Sequence, residues 1–321
     1  MESVLWYRHA LLNRLQSLLL LLVMAAFLAL LGGLLWGGAG LIWLTLIGAV
    51  LVLFNPMNSP QLIMRMYRAV PLRPGESPAL YGLLQQLAQR AGLKHVPELY
   101  YLPSPMVNAF AVGQRDTSAI AVSDGLLRTL NSREGAGVLA HEISHIRSND
   151  MWVMGLADLF SRMTAFLSLF GQILLLLNLP LIMLASVSIN WWAILILILA
   201  PNLSALAQLG LSRTREYDAD LNAVRLTGDA EGLASALVKI EQRQGGWLER
   251  ILMPQRGTPE PSLLRTHPST EERVRRLRAL QHSFDLDGAR RQPLTQLSAE
   301  VPLAKPVRRS PRRWHISGLW H

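Results

Sequence analysis

The sequence predicts a mainly α integral membrane protein, with four transmembrane helices in two hairpins and an α+β domain built on a small sheet. Three observations lead there. No charged side chain stands between Arg14 and Arg65, or between Arg162 and Arg213, and each gap is 50 residues long. A membrane span takes about 20 residues, so each gap holds two helices and a turn. The composition, 50% hydrophobic and 17% charged, is high in apolar residues for a soluble protein. Outside the gaps, helical and strand periodicities alternate.

In chain order, residues 1–15 form an N-terminal segment and 16–56 the first hairpin. Within it, 18–31 is almost wholly apolar, the Gly32-Gly33 and Gly37-Gly38 pairs mark the turn region, and 41–54 returns. Residues 57–162 form the first part of the α+β domain. Ser77-Pro78 can start a helix through Gln89 with Leu80, Leu83, Leu84 and Leu87 inward. Strands are expected at 98–102, 108–112 and 118–122. Asn131 with Glu134 three residues on makes a capping-box variant ahead of a helix with Val138, Leu139, Ile143 and Ile146 on its apolar stripe. Gly135-Ala136-Gly137 is poor helix material by propensity, and its expected use is close packing against another backbone.

The second hairpin covers 163–212, running out over 166–187, turning at Ser188-Ile189-Asn190 and returning over 191–207. Trp191-Trp192 suits a membrane interface, and Pro180 and Pro201 are candidate kinks. Residues 151–159 are expected to continue helically into the third span. The second part of the domain spans 213–284, with a helix at 229–243, a loop at 245–261, and a helix capped by Ser269 and Glu272. Residues 285–321 form a basic, proline-interspersed tail, expected to be disordered or held near anionic lipid headgroups.

The chemistry concentrates in His141-Glu142-Ile143-Ser144-His145. Residues four apart share a helix face, so both imidazoles can bind one Zn²⁺ while Glu142 points toward the open coordination site. Catalytic zinc generally takes a third protein ligand. None of His9, His95, His267, His282, His315 and His321 stands in a ligand-like helical pair, so a carboxylate is the better candidate. Glu216 and Asp220 lie four apart on an amphipathic segment, so Glu216 can bind metal while Asp220 holds a ligand histidine by its second ring N–H.

Two further readings stay open. A strand at 108–112 beside a metal cleft could bind extended substrate through Asn108, Ala109, Phe110 and Ala111, or it could be a structural hairpin strand. His267, ahead of the last helix, is either a surface residue or a group that approaches the zinc, donating to the oxyanion or taking the water site in a resting form.

Several classes are set aside. The +9 charge lies largely in arginine-rich flanks and the tail, so nucleic acid is not an expected partner. No phosphate-binding glycine loop is evident, so neither is nucleotide. The chain has no cysteine and hence no thiolate metal site. A second apolar run follows the first without a small-residue cleavage site, so a signal peptide is not expected. Arg8, Arg14, Arg65, Arg68, Arg73, Arg147, Arg213 and Arg215 flank the hairpins while both turns lack Lys and Arg, which puts both termini and the metal segments in the cytoplasm.

The chain resembles the HtpX-type membrane metalloproteases, gluzincins related to the CAAX-processing zinc proteases. The resemblance rests on Val107-Asn108-Ala109-Phe110-Ala111-Val112-Gly113, Leu139-Ala140-His141-Glu142-Ile143-Ser144-His145, the Arg-Glu-Tyr-Asp-Ala-Asp run at 215–220, and Thr266-His267-Pro268-Ser269-Thr270-Glu271-Glu272-Arg273. With the hairpins these cover roughly residues 10–280. The resemblance implies a zincin-like catalytic domain with one Zn²⁺ per chain, ligands His141, His145 and Glu216, general base Glu142, and Asp220 behind a ligand. It also implies a multi-pass protein of the cell inner membrane that turns over misfolded membrane proteins. A specialised peptidase for a lipidated or short peptide, or a silent zinc-containing scaffold, are the alternatives. The chain departs from the pattern in its tail and at Arg147-Ser148-Asn149-Asp150, which replaces a glycine-containing turn; neither departure is expected to touch a ligand.

Overall fold

The structure, a computed structural model, describes residues 2–53, 59–184, 191–243 and 269–286. Helix α1 (Glu2–Leu53) is broken at Gly37, whose φ of 60° and ψ of −147° leave the helical region, so the turn falls at the second glycine pair. A side chain would strain that conformation; glycine adopts it freely. Next come α2 (Pro60–Met66), β1 (Val70–Pro71), α3 (Pro78–Ala91), β2 (Glu98–Leu102), β3 (Ala109–Gly113), β4 (Ser118–Ser123) and α4 (Asp124–Thr129). The chain continues through α5 (Ser132–Ser148), α6 (Asp150–Leu184), α7 (Trp191–Thr227), α8 (Ala230–Arg243) and α9 (Thr270–Leu286).

Among the described residues, three helical segments are long and apolar enough to cross a membrane: Leu15–Gly33, Asp150–Pro180 and Ile194–Thr227. They pack on one another through Met24, Leu31, Met163, Leu167, Ala200 and Leu211, while Leu18, Leu22, Phe166, Leu176, Ile198 and Leu206 are exposed on their outer faces. Inward polar groups join the helices as well, with the Ser168 hydroxyl donating to the Leu197 carbonyl across 2.5 Å. Such bonds hold helices where lipid offers no hydrophobic drive between them. The helices α6 and α7 continue from these apolar segments into the domain, so the membrane half and the half that carries His141 and Glu216 share two continuous helices.

The sheet is mixed, in the order β1-β2-β4-β3. β2 runs parallel to β4 and β3 antiparallel to it, leaving β3 at an edge. β3 begins one residue later than the alternation predicts, but the Ser123 N–H still donates to the Asn108 carbonyl at 3.0 Å. β1 is two residues long and includes a proline, too short to register as alternation. The domain core lies where α5 packs on the sheet and α3 and α8 pack against α5, around Leu84, Leu87, Ile120, Leu139, Ile143 and Leu233.

Two details place α5. Asn131 and Glu134 form the full reciprocal capping box, and the Glu134 carboxylate also takes Ser235 Oγ at 2.6 Å and Lys239 Nζ, fastening the start of α5 to α8. At Gly137 a Cβ would stand 2.9 Å from the Leu233 Cα. The glycine-rich stretch therefore serves close helix approach, as expected of it.

Candidate metal centre

Helix α5 presents His141, Glu142 and His145, all buried, at the level where α7 brings in Glu216 and Asp220. The Nε2 atoms of His141 and His145 are 3.1 Å apart; Glu216 Oε2 lies 3.4 Å from the first and Oε1 3.6 Å from the second. Ligand atoms about 2.0–2.1 Å from a tetrahedral zinc are separated by roughly 3.3 Å, so these three spacings fit one ion. No other such group of His, Cys, Asp and Glu occurs among the described residues.

The other faces of the imidazoles are held. Asp220 Oδ1 stands 3.0 Å from His141 Nδ1, and Asp150 Oδ2 stands 2.8 Å from His145 Nδ1. Each carboxylate takes the Nδ1–H of its ring and fixes the ring's orientation, so that Nε2 is the atom turned toward a metal. Asp150 corrects an expectation: the 147–150 segment does touch a candidate ligand, His145. Asn149 adopts the left-handed conformation, φ 58°, that a glycine would otherwise supply, and this turn aims the next residue back at His145.

Behind each carboxylate stands an arginine. Arg273, from α9, grips Asp220 with two bonds of 2.8 and 2.6 Å and reaches Glu216 Oε2 at 3.1 Å. Arg215 lies 3.1 Å from Asp150 Oδ1. In the sequence Arg273 stands only as the last residue of the 266–273 motif, with no role of its own; its place on the inward face of α9 with Val274 and Leu277 is the signal that marks it. Burial works against its charge, but Asp220 and then Glu216 more than offset this and raise its pKa.

The Ala111 N–H, on the edge strand β3, donates to Glu142 Oε2 at 2.9 Å. In an antiparallel edge strand alternate residues point their backbone groups away from the partner, so Ala109 and Gly113 share that outward side with Ala111. Ala109, Phe110 and Ala111 of β3, with Asn108 just before it, lie on the strand that packs against α5. His267 lies outside the described residues.

Electrostatics give the site a pH dependence. Burial alone would depress the His141 pKa, but hydrogen bonds to Asp220 and Glu216 push it up to about 10 from 6.5. His145 is likewise raised, by Asp150 against its burial. The metal-free site therefore holds a proton on His141 at neutral pH. A pKa raised on folding contributes stability that is complete below the unfolded value of 6.5 and is lost as pH rises through about 10. Metal binding must displace that proton, so affinity should strengthen by up to about tenfold per pH unit over the same window. Calorimetric zinc titrations in buffers of differing ionisation enthalpy would read the released proton; uptake without release would contradict this assignment.

Comparisons with known proteins follow the same residues. Residues 74–281 match the model of peptidase family M48. A protein named Protease HtpX homolog from Desulfatibacillum aliphaticivorans is 34% identical over 298 residues, covering 83% of this chain and 89% of its own. Another of that name from Acaryochloris marina is 36% identical over 304 residues, covering 85% and 96%. Protease HtpX of Legionella pneumophila strain Corby is 32% identical over 294 residues, covering 84% and 99%. Among solved structures, the crystal structure of S. mikatae Ste24p matches with a TM-score of 0.49 at 22% identity, covering 84% of this chain and 67% of that one.

Proposed function

The chain belongs to peptidase family M48, and from that premise we propose that it is a membrane-embedded zinc endopeptidase that cuts membrane proteins in quality control. It is a metallopeptidase and a multi-pass membrane protein. The observation that carries the zinc assignment is the convergence of His141 Nε2, His145 Nε2 and Glu216 on one point.

In this reading His141, His145 and Glu216 hold one Zn²⁺ and Asp220 orients His141. When bound, zinc supplies Lewis acidity, polarising the scissile carbonyl and lowering the pKa of water toward about 7. Glu142, one oxygen fixed by the Ala111 N–H, takes a proton from water as the water oxygen attacks the carbonyl carbon. It then hands that proton to the amide nitrogen as the C–N bond breaks. The stretch Asn108, Ala109, Phe110 and Ala111 receives the substrate as an added strand, paired through the outward backbone groups of Ala109 and the Ala111 carbonyl, which favours extended chains over particular side chains. His267 is assigned to the oxyanion or the resting site on sequence grounds alone.

In this reading the two arms of α1 about Gly37 would be one hairpin and the pair α6 and α7 the other, four spans in all. The arginine flanks put both termini and the metal centre on the cytoplasmic side of the cell inner membrane. In the same reading the segments 1–15, 16–56, 57–162, 163–212, 213–284 and 285–321 are assigned the roles expected from the sequence, with 287–321 lying outside the described residues.

Purified enzyme offered an unfolded membrane protein and an unrelated short peptide should cut the first faster, lose both activities to a chelator, and regain them with zinc. Preference for a short peptide would instead assign a specialised processing role.

A further inference from the structure

The two ligand histidines are supported in the same way by different helices. His141 is backed by Asp220 and then Arg273; His145 is backed by Asp150 and then Arg215. We infer that Asp150, steadied by Arg215, is the positioning residue of metal ligand His145, and that through it the membrane helix α6 sets the geometry of the metal centre.

The placement leaves little slack. Asp150 is 1% exposed and is the first residue of α6, directly after the left-handed Asn149 that ends α5. One residue thus separates the helix carrying the ligands from the helix entering the membrane. That junction folds Asp150 back onto a ring five positions earlier, at 2.8 Å. Arg215 comes from α7, next to Glu216, so the same helix delivers the third ligand and the countercharge for Asp150. A shift of α6 against α7 would move Asp150 relative to Arg215, and the His145 ring would follow. The pairing also compensates burial: an isolated carboxylate at that depth is costly, and the guanidinium offsets it.

Asp150 stands behind His145 and outside the converging group, so its effect should appear in metal binding before chemistry. This rests on His145 being a ligand, as proposed above. The test is zinc affinity of the full-length protein in detergent at fixed pH, by competition with a chromophoric chelator, together with the visible spectrum of the cobalt-substituted protein. Asp150→Ala should weaken zinc binding by about 10–100-fold, the usual cost of losing a hydrogen-bond partner behind a ligand. Asp150→Asn keeps an oxygen to accept the Nδ1–H and should lose less, with a shifted cobalt spectrum. Arg215→Gln should weaken zinc binding in the parent but add little in the Asp150→Asn background, since coupled groups are not additive. A purely structural role would lower the melting temperature of the metal-free protein and leave affinity and spectrum alone. If Asp150→Ala does not fold, Asp150→Asn decides. Zinc affinity within about twofold of the parent and an unchanged cobalt spectrum would overturn the inference; absence of zinc binding by the parent itself would instead sink the metal centre.

Discussion

Replacing Glu142 by Gln is expected to lower kcat for peptide hydrolysis by about 10²–10⁴-fold, the range a general base supplies, while the metal stays bound. Gln has the same shape and keeps an oxygen to accept the Ala111 N–H, so the local geometry should survive. It cannot take a proton from water. Glu142 stands outside the group that converges on the metal point, so metal content should not change. Steady-state rates on one substrate with metal analysis of the same samples would check this. A variant that kept parental kcat would leave the chain without its base, and one that lost its metal would show that Glu142 is a ligand.

Arg273→Ala is expected to destabilise the metal-free protein by about 3–5 kcal/mol, the cost of removing one partner from a buried ion pair. Arg273 is 6% exposed and answers two buried carboxylates at once, through two bonds to Asp220 and one contact to Glu216. Without it both carboxylates are left desolvated, and His141 loses a firmly held orienting partner. Bound zinc should restore part of the lost stability, because the ion brings positive charge to Glu216. Lys at this position should rescue poorly, since an ammonium cannot reproduce the planar two-bond grip. Thermal unfolding with and without zinc would check both statements; an unchanged melting temperature in the metal-free form would remove Arg273 from the site's energetics.

How much of this was legible in the sequence depends on whether a contact is local. The His141–His145 pair, the Asn131–Glu134 capping box and the Glu216–Asp220 spacing are fixed by helix geometry within a turn, so chain positions imply the contacts. The close approach at Gly137 was legible because glycine in a helix has few other uses. Arg273 was not read out because it stands in a helix bearing Arg275, Arg276 and Arg278, where only the neighbouring Val274 and Leu277 tell which side faces inward. Asp150 was missed for a different reason. A left-handed asparagine did the work expected of glycine, and the return of the next side chain to His145 depends on a dihedral that sequence spacing does not express. The continuity of α6 and α7 was half legible: residues 151–159 were expected to run into the membrane, but the run of α7 from Trp191 to Thr227 crosses the change from apolar to charged composition without a break.

The most direct measurement is zinc stoichiometry with proteolysis of the same samples, for the parent, Glu142→Gln and Glu216→Ala. One tightly held zinc in the parent and in Glu142→Gln, weak or lost zinc in Glu216→Ala, and cleavage by the parent alone is the expected result. Full zinc and full cleavage in Glu216→Ala would contradict the account at its root.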